Sequence, residues 1–173
     1  DGGRSAARAQ LGIATRTRVR DLQRQFDLAT QIRDRTSDAN EAVIQIRDPK
    51  AQIKERVEQS KSARLKEIGD LVTQKLSVVE EEVYQVRNRS GQDPLNFPIK
   101  INNRLAALRR SVETGDAAPT DASREIFTML SADLQKQIDE LAAITKGDLA
   151  NFNKAATEQK LAPVAAKAVE RAK

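Results

Sequence analysis

Apolar residues along this chain recur every three or four positions over long stretches, the period of a helix face turned towards a core. Val19, Leu22, Phe26, Ala29 and Ile32 begin the first stripe, and Ala39, Val43 and Ile46 resume it. They predict one amphipathic helix of about 30 residues, from Thr17 to Arg47. The polar run Arg35-Thr36-Ser37-Asp38 inside it is either a local irregularity or a polar layer. Asp48-Pro49 then predicts a boundary. The residue before a proline is pushed out of the α region, Asp48 is a good N-cap, and Pro49 suits the first position of a new helix. A two-residue turn there would make helices one and two antiparallel neighbours.

The second stripe runs through Ile53, Val57, Leu65, Ile68, Val72, Leu76, Val79, Val83 and Val86, predicting a helix over 49–88. At 1.5 Å per residue it would span about 55 to 60 Å, the length of a rod rather than a ball. Glu58 to Ser62 carries no large apolar side chain, so the helix is thin or interrupted there. Gly69 is a weak point, worth up to about 1 kcal/mol against alanine. Glu80-Glu81-Glu82 reads as a solvated face, with a divalent-ion site as the alternative if another helix adds carboxylates. Asn88 to Gly91 ends the helix, with Gly91 available for positive φ.

Asp93-Pro94-Leu95-Asn96-Phe97-Pro98 is the one place where two prolines and an aromatic sit together. The prolines keep it extended, Leu95 and Phe97 are expected to plug a bundle end, and Asn96 can cap the following helix. Tyr84 is expected to pack near this loop. Helix three follows over 97–114, with Ile101, Leu105, Leu108 and Val112 as its stripe. Asn102 and Asn103 at its start either satisfy backbone groups of the loop or contact a polar ligand. Gly115 to Pro119 is a turn, and Thr120 caps a fourth helix running to about Gln159 with a possible kink at Gly147. Two long elements, one short and one long predict an all-α fold, an elongated antiparallel helical bundle without sheet, in up-down-up-down order. Residues 18–160 form the bundle. Residues 1–17 read as a linker or arm and 161–173 as a C-terminal arm. With helix three so short, part of the helix-two stripe would stay uncovered and could serve for docking.

Composition supports helix: of 173 residues only 3% are aromatic and 32% are charged. The net charge of +5 is modest, and both signs alternate along the chain. Basic residues concentrate weakly at the ends. Arg4 to Arg20 holds five arginines and no acid, and 160–173 is also basic. The first of these runs could mimic an organelle transit peptide or be a solvated linker. The chain begins at Asp1 without Met, which suggests a fragment, a processed protein or a partial sequence. No apolar run is long enough to predict a transmembrane segment.

The sequence holds no cysteine and no histidine. Disulfides and thiolate zinc sites are therefore excluded, and the commonest general base and metal ligand is missing. No phosphate-binding glycine loop and no nucleophile elbow is present. The reading is non-catalytic, with no catalytic residue, cofactor, metal site or small-molecule substrate, and with nucleic acid disfavoured as a partner.

Residues 85–123, QVRNRSGQDPLNFPIKINNRLAALRRSVETGDAAPTDAS, and the earlier DLQRQFDLATQIRDRTSDANEAVIQIRD carry a resemblance. Together they are similar to the C-terminal helical region of bacterial sortilin-like (VPS10/BNR-repeat) β-propeller proteins, often labelled glycosyl-hydrolase-like. The resemblance covers about Asp21 to Asn153, and DPLNFPIKINN is its most specific part. It implies an extracytoplasmic parent protein, periplasmic or secreted. Any hydrolase-like site would then lie in a propeller absent from this chain, and no family catalytic residue maps onto it. It implies packing, spacing or protein–protein assembly, with the upstream propeller or another subunit as partner. The alternative from the residues alone is a basic helical module that binds nucleic acid or an anionic membrane through its termini.

Overall fold

A computed structural model describes residues 2–87, 96–115 and 117–166, with residues 2–17 described as helical backbone only. It is all-α, with no strand among the described residues. The elements are α1 (Gly2–Ser60), α2 (Ala63–Val83), α3 (Ile101–Glu113), α4 (Asp121–Ile144), a π-helical turn (Thr145–Leu149) and α5 (Ala150–Glu158).

The first reversal of the chain is not at Asp48-Pro49. Helix α1 runs through Pro49 and ends at Ser60. Proline in a helix interior removes a backbone donor and costs roughly 3 kcal/mol. Here the apolar stripe keeps its phase across the proline. Ile46 and Ile53 lie seven residues, about two turns, apart and are 0% and 2% exposed. Breaking the helix at Pro49 would pull one of them out of the core. Asp48 does not cap; its carboxylate accepts from the Gln52 side-chain amide one turn on. The chain instead turns at Lys61-Ser62, inside the stretch that lacks apolar side chains. Lys61 takes a left-handed conformation (φ 52°), and Ser62 caps α2 by accepting from the Leu65 amide. The predicted two-residue turn thus exists, one helical segment later. Residues 2–17 continue α1 as helix.

Helices α2 and α3 both pack on α1 and on α4, and barely on each other. Arg47 and Lys50 of α1 meet Glu80 of α2, whereas a Cβ at Gly69 would meet Ile53 and Val57, so α2 runs antiparallel to α1. Helix α3 starts beside the end of α2, where Lys100 pairs with Glu82, and finishes where Gln25 of α1 donates to the carbonyls of Val112 and Gly115. It therefore continues in the direction of α2. Helix α4 returns parallel to α1, with Arg35 on the Ser131 carbonyl at one level and Ala42 and Ile46 in one core with Leu141 and Ile144 at the next. The up-down-up-down arrangement with helix three as a fourth leg is thereby corrected. The molecule has three legs, and its middle leg is two helices in series.

Two cores are stacked along this frame. The lower joins Leu28, Ile32, Ala39 and Val43 of α1 to Leu105 and Leu108 of α3 and Leu130 and Leu134 of α4. The upper joins Ile46 and Ile53 to Leu65, Val72 and Leu76 of α2 and to Ile144, Leu149 and Phe152. Of the helix-two stripe, Ile53, Leu65, Val72, Leu76 and Val79 are buried here, Val57 and Ile68 pack against them half-buried, and Val83 is buried in the lower core, so most of it is covered. Gly147, where the sequence suggests a kink, lies within the π-helical turn, a local widening of the helix. Below Leu28, the first buried side chain described in α1, Val19, Leu22 and Phe26 of its predicted stripe stay exposed.

Gly69 is a point of close approach rather than a weak point. A Cβ there would stand 3.0 Å from methyl groups of both Ile53 and Val57 and 3.2 Å from the Phe152 ring. Overpacking costs about 1–3 kcal/mol, partly offset by the roughly 1 kcal/mol helix gain of alanine. Gly69→Ala should therefore destabilise by about 1 kcal/mol net, and adding Val57→Ala should recover part of that loss. Urea titration of the single and double variants checks this. An increase in stability for Gly69→Ala alone would show that the neighbouring methyls yield freely.

Candidate functional site

The junction inside the middle leg is where the sequence concentrates its prolines. Asp93, Pro94 and Leu95 lie outside the described residues. Asn96 is exposed in a turn, and Phe97 is half-buried in neither core, with the Arg87 guanidinium 5.8 Å from its ring centre. Pro98 is exposed. Helix α3 begins at Ile101 rather than at Phe97, and its first residue is preceded by Lys100 without a side-chain cap. Asn102 accepts from the neighbouring Asn103 amide through its own side chain, and Asn103 is exposed.

What ties this junction down is Gln85, which is 6% exposed. Its Nε2 donates to the Pro98 carbonyl at 2.7 Å and its Oε1 accepts from the Arg87 amide at 3.2 Å. A buried side-chain amide satisfying backbone groups of both Arg87 and Pro98 holds these two points together. The residue pattern gives no warning of this, because a glutamine just past a helix end reads as solvated.

Next to the junction lies a charged cluster between α1 and α2. Glu80, read as part of a solvated face, is 5% exposed. Its Oε1 accepts from Arg47 Nε at 2.6 Å and its Oε2 from Lys50 Nζ at 2.9 Å. Lys50 also donates to Ser77, and the Arg47 guanidinium sits 5.0 Å from the Tyr84 ring centre. Tyr84 is accordingly half-buried against the lower core. Arg47 and Lys50 flank Pro49, so one carboxylate on α2 grips α1 on both sides of its missing hydrogen bond. Burial opposes ionisation of Glu80, but the hydrogen bonds and charges of Arg47 and Lys50 outweigh it, and its carboxyl is held below the usual value. A group held ionised in this way is the opposite of a general acid at neutral pH. Its arrangement serves to hold two helices together.

On the other side of α1, a cleft of about 560 Å³ opens against α4 and the π-helical turn. Its rim is polar, with Arg35, Gln45, Gln135 and Lys146, and its floor is apolar, with Ile138 and Leu141. Arg35 is spent on structure: it pairs with Asp38 at 2.9 Å and donates to the Ser131 carbonyl at 2.9 Å. Among the described residues no group of three acidic side chains is placed to hold a metal ion. No described helix is long and apolar enough to cross a membrane.

A further surface feature is apolar. Val19, Leu22 and Phe26 are 61%, 38% and 65% exposed in succession on α1. Spacings of three and four put them on one side of the helix. In comparisons with known proteins, no family model, curated protein or solved structure matches the chain.

Proposed function

We propose that this chain is a non-catalytic helical-bundle domain that works in structural packing and protein–protein assembly. The observation that carries the reading is the exposed row of Val19, Leu22 and Phe26. Isolated exposed apolar residues are ordinary, but three large ones in a row on a single helix face suit a partner surface. The polar clusters, by contrast, are engaged in holding helices together. The resemblance of 21–153 to the helical region of sortilin-like propeller proteins supports a place for this bundle at the C-terminal side of an exported parent. Its partner is then the upstream propeller or another subunit, in an extracytoplasmic setting. A propeller repeat in the coding sequence ahead of Asp1 would support that parentage; any other domain there would remove it.

Sedimentation velocity and binding of an apolar dye test the surface itself. We expect the unaltered chain to bind the dye or self-associate, and Phe26→Asp to lose most of that behaviour without loss of helicity. A clean monomer that binds no dye would count against the reading. A second outcome is that the arginines between Arg4 and Arg20, which share one helix, bind nucleic acid or anionic vesicles. Such binding should fall steeply with salt, and its detection at low salt would favour the basic-module alternative.

A further inference from the structure

The segment after α5 is gripped in a way that its short apolar composition, Leu161-Ala162-Pro163-Val164-Ala165-Ala166, does not require. Between Leu161 and Ala166 the chain has no regular secondary structure, yet Val164 is 3% exposed and belongs to the upper core. Asn153 of α5 holds Val164 at both backbone groups: its Nδ2 donates to the carbonyl at 2.8 Å and its Oδ1 accepts from the amide at 2.7 Å. Gln52 of α1 does the same to Ala165, at 2.8 Å and 3.2 Å. Arg56 donates to the Ala162 carbonyl at 3.0 Å. Two side-chain amides on different helices thus imitate the edge of a β-sheet, reading main chain and leaving side chains free to vary. Side-chain selection occurs at two points, Val164 in the core and Leu161 packed against it. They are three residues apart around Pro163, the repeat of a polyproline II helix, which a proline presets at low entropic cost.

We propose that the groove between α1 and α5 is a binding site for extended peptide segments of Leu-x-Pro-Val character presented by a partner protein, and that residues 161–166 are its built-in occupant. The tail keeps the site closed, because a tethered segment competes at an effective concentration on the order of millimolar. A partner segment binds by replacing the tail with the same main-chain hydrogen bonds. The site is separate from the apolar row on α1, so its failure leaves the assembly reading standing.

The test uses the full chain carrying Val164→Asp, which ejects the tail and leaves Gln52, Arg56 and Asn153 in place. The probe is a fluorescent peptide with the sequence of 159–166, followed by anisotropy. Saturable binding to the Val164→Asp chain, about tenfold or more weaker to the unaltered chain, and abolished by adding Asn153→Ala, is the expected result. If Val164→Asp unfolds the chain, Ala165→Pro replaces it: the side chain there is exposed, and proline removes the amide that Gln52 accepts from. No binding to a folded, tail-released chain overturns the proposal, as does equal binding with and without Asn153→Ala.

Discussion

Phe152→Ala is expected to cost about 3–5 kcal/mol of stability, the range for emptying an aromatic site in a packed core. Phe152 is 0% exposed and is the largest fully buried side chain described. It sits where three legs converge, in the upper core with Ile53 of α1 and Leu65 of α2, and opposite the bare backbone of Gly69. Because Gly69 and the surrounding β-branched residues have little reach, the cavity cannot collapse easily. At roughly 2–4 °C per kcal/mol for a chain of this size, the melting temperature should fall by about 10 °C. Urea unfolding with an unchanged slope would assign the loss to the folded state. The neighbouring Asn153 should loosen with it, so the amides of Val164 and Ala165 should exchange faster. Phe26→Ala is the internal control. With Phe26 65% exposed, the same chemical deletion should change stability by no more than about 0.5 kcal/mol. A loss below about 1 kcal/mol for Phe152→Ala would mean that the upper core is not packed as described.

Removing the charge that spans Pro49 should have the next largest effect. Glu80→Ala removes the carboxylate shared by Arg47 and Lys50 and leaves Lys50 with Ser77 as its acceptor. Breaking a buried pair costs about 3–5 kcal/mol, but Arg47 is half exposed and water recovers part of that, so about 2–3 kcal/mol is expected. The same pair predicts a pH dependence. The Glu80 carboxyl is held below its ordinary value of 4.5 in the folded state. The unfolded chain therefore binds the proton first as pH falls, and stability rises with pH across that window. The Glu80 contribution is fully present above the unfolded value and is lost as pH drops through the lower, folded one. Glu80→Gln retains a hydrogen-bonding group but cannot titrate. Denaturant midpoints at pH 7, 5, 4 and 3 should show the unaltered chain losing more stability below pH 5 than Glu80→Gln. Parallel curves for the two proteins would remove Glu80 as the source.

The upper and lower cores also explain how the junction loop can be rich in proline without weakening the fold. Each half of the middle leg is clamped between α1 and α4 independently. The chain between them has only to pass from one half to the other, and Gln85 fixes the near side of that passage. The junction between α2 and α3 thus lies within one leg.

Helix class and the apolar stripes were legible in the sequence, because the 3.6-residue period leaves a direct trace in residue order, although Val19, Leu22 and Phe26 keep that period and stay exposed. The Thr120 cap and the irregularity around Gly147 were legible for similar reasons, as each rests on a local preference of the backbone. Pro49 was misleading because its local preference is strong, while the evidence against a break was the unbroken phase from Ile46 to Ile53, a longer-range property. What only tertiary structure decided was partnership. Whether α3 sits beside α2 or beyond it depends on which faces meet, and identical stripes permit both. Glu80, Gln85, Gln52 and Asn153 are polar residues with ordinary surface propensities. Each became buried or engaged because another segment of the folded chain supplied groups that it holds, from 11 residues away for Asn153 and Val164 to 113 for Gln52 and Ala165. Hydrogen-bond satisfaction is a property of the assembled interior, so no window of sequence could have shown it.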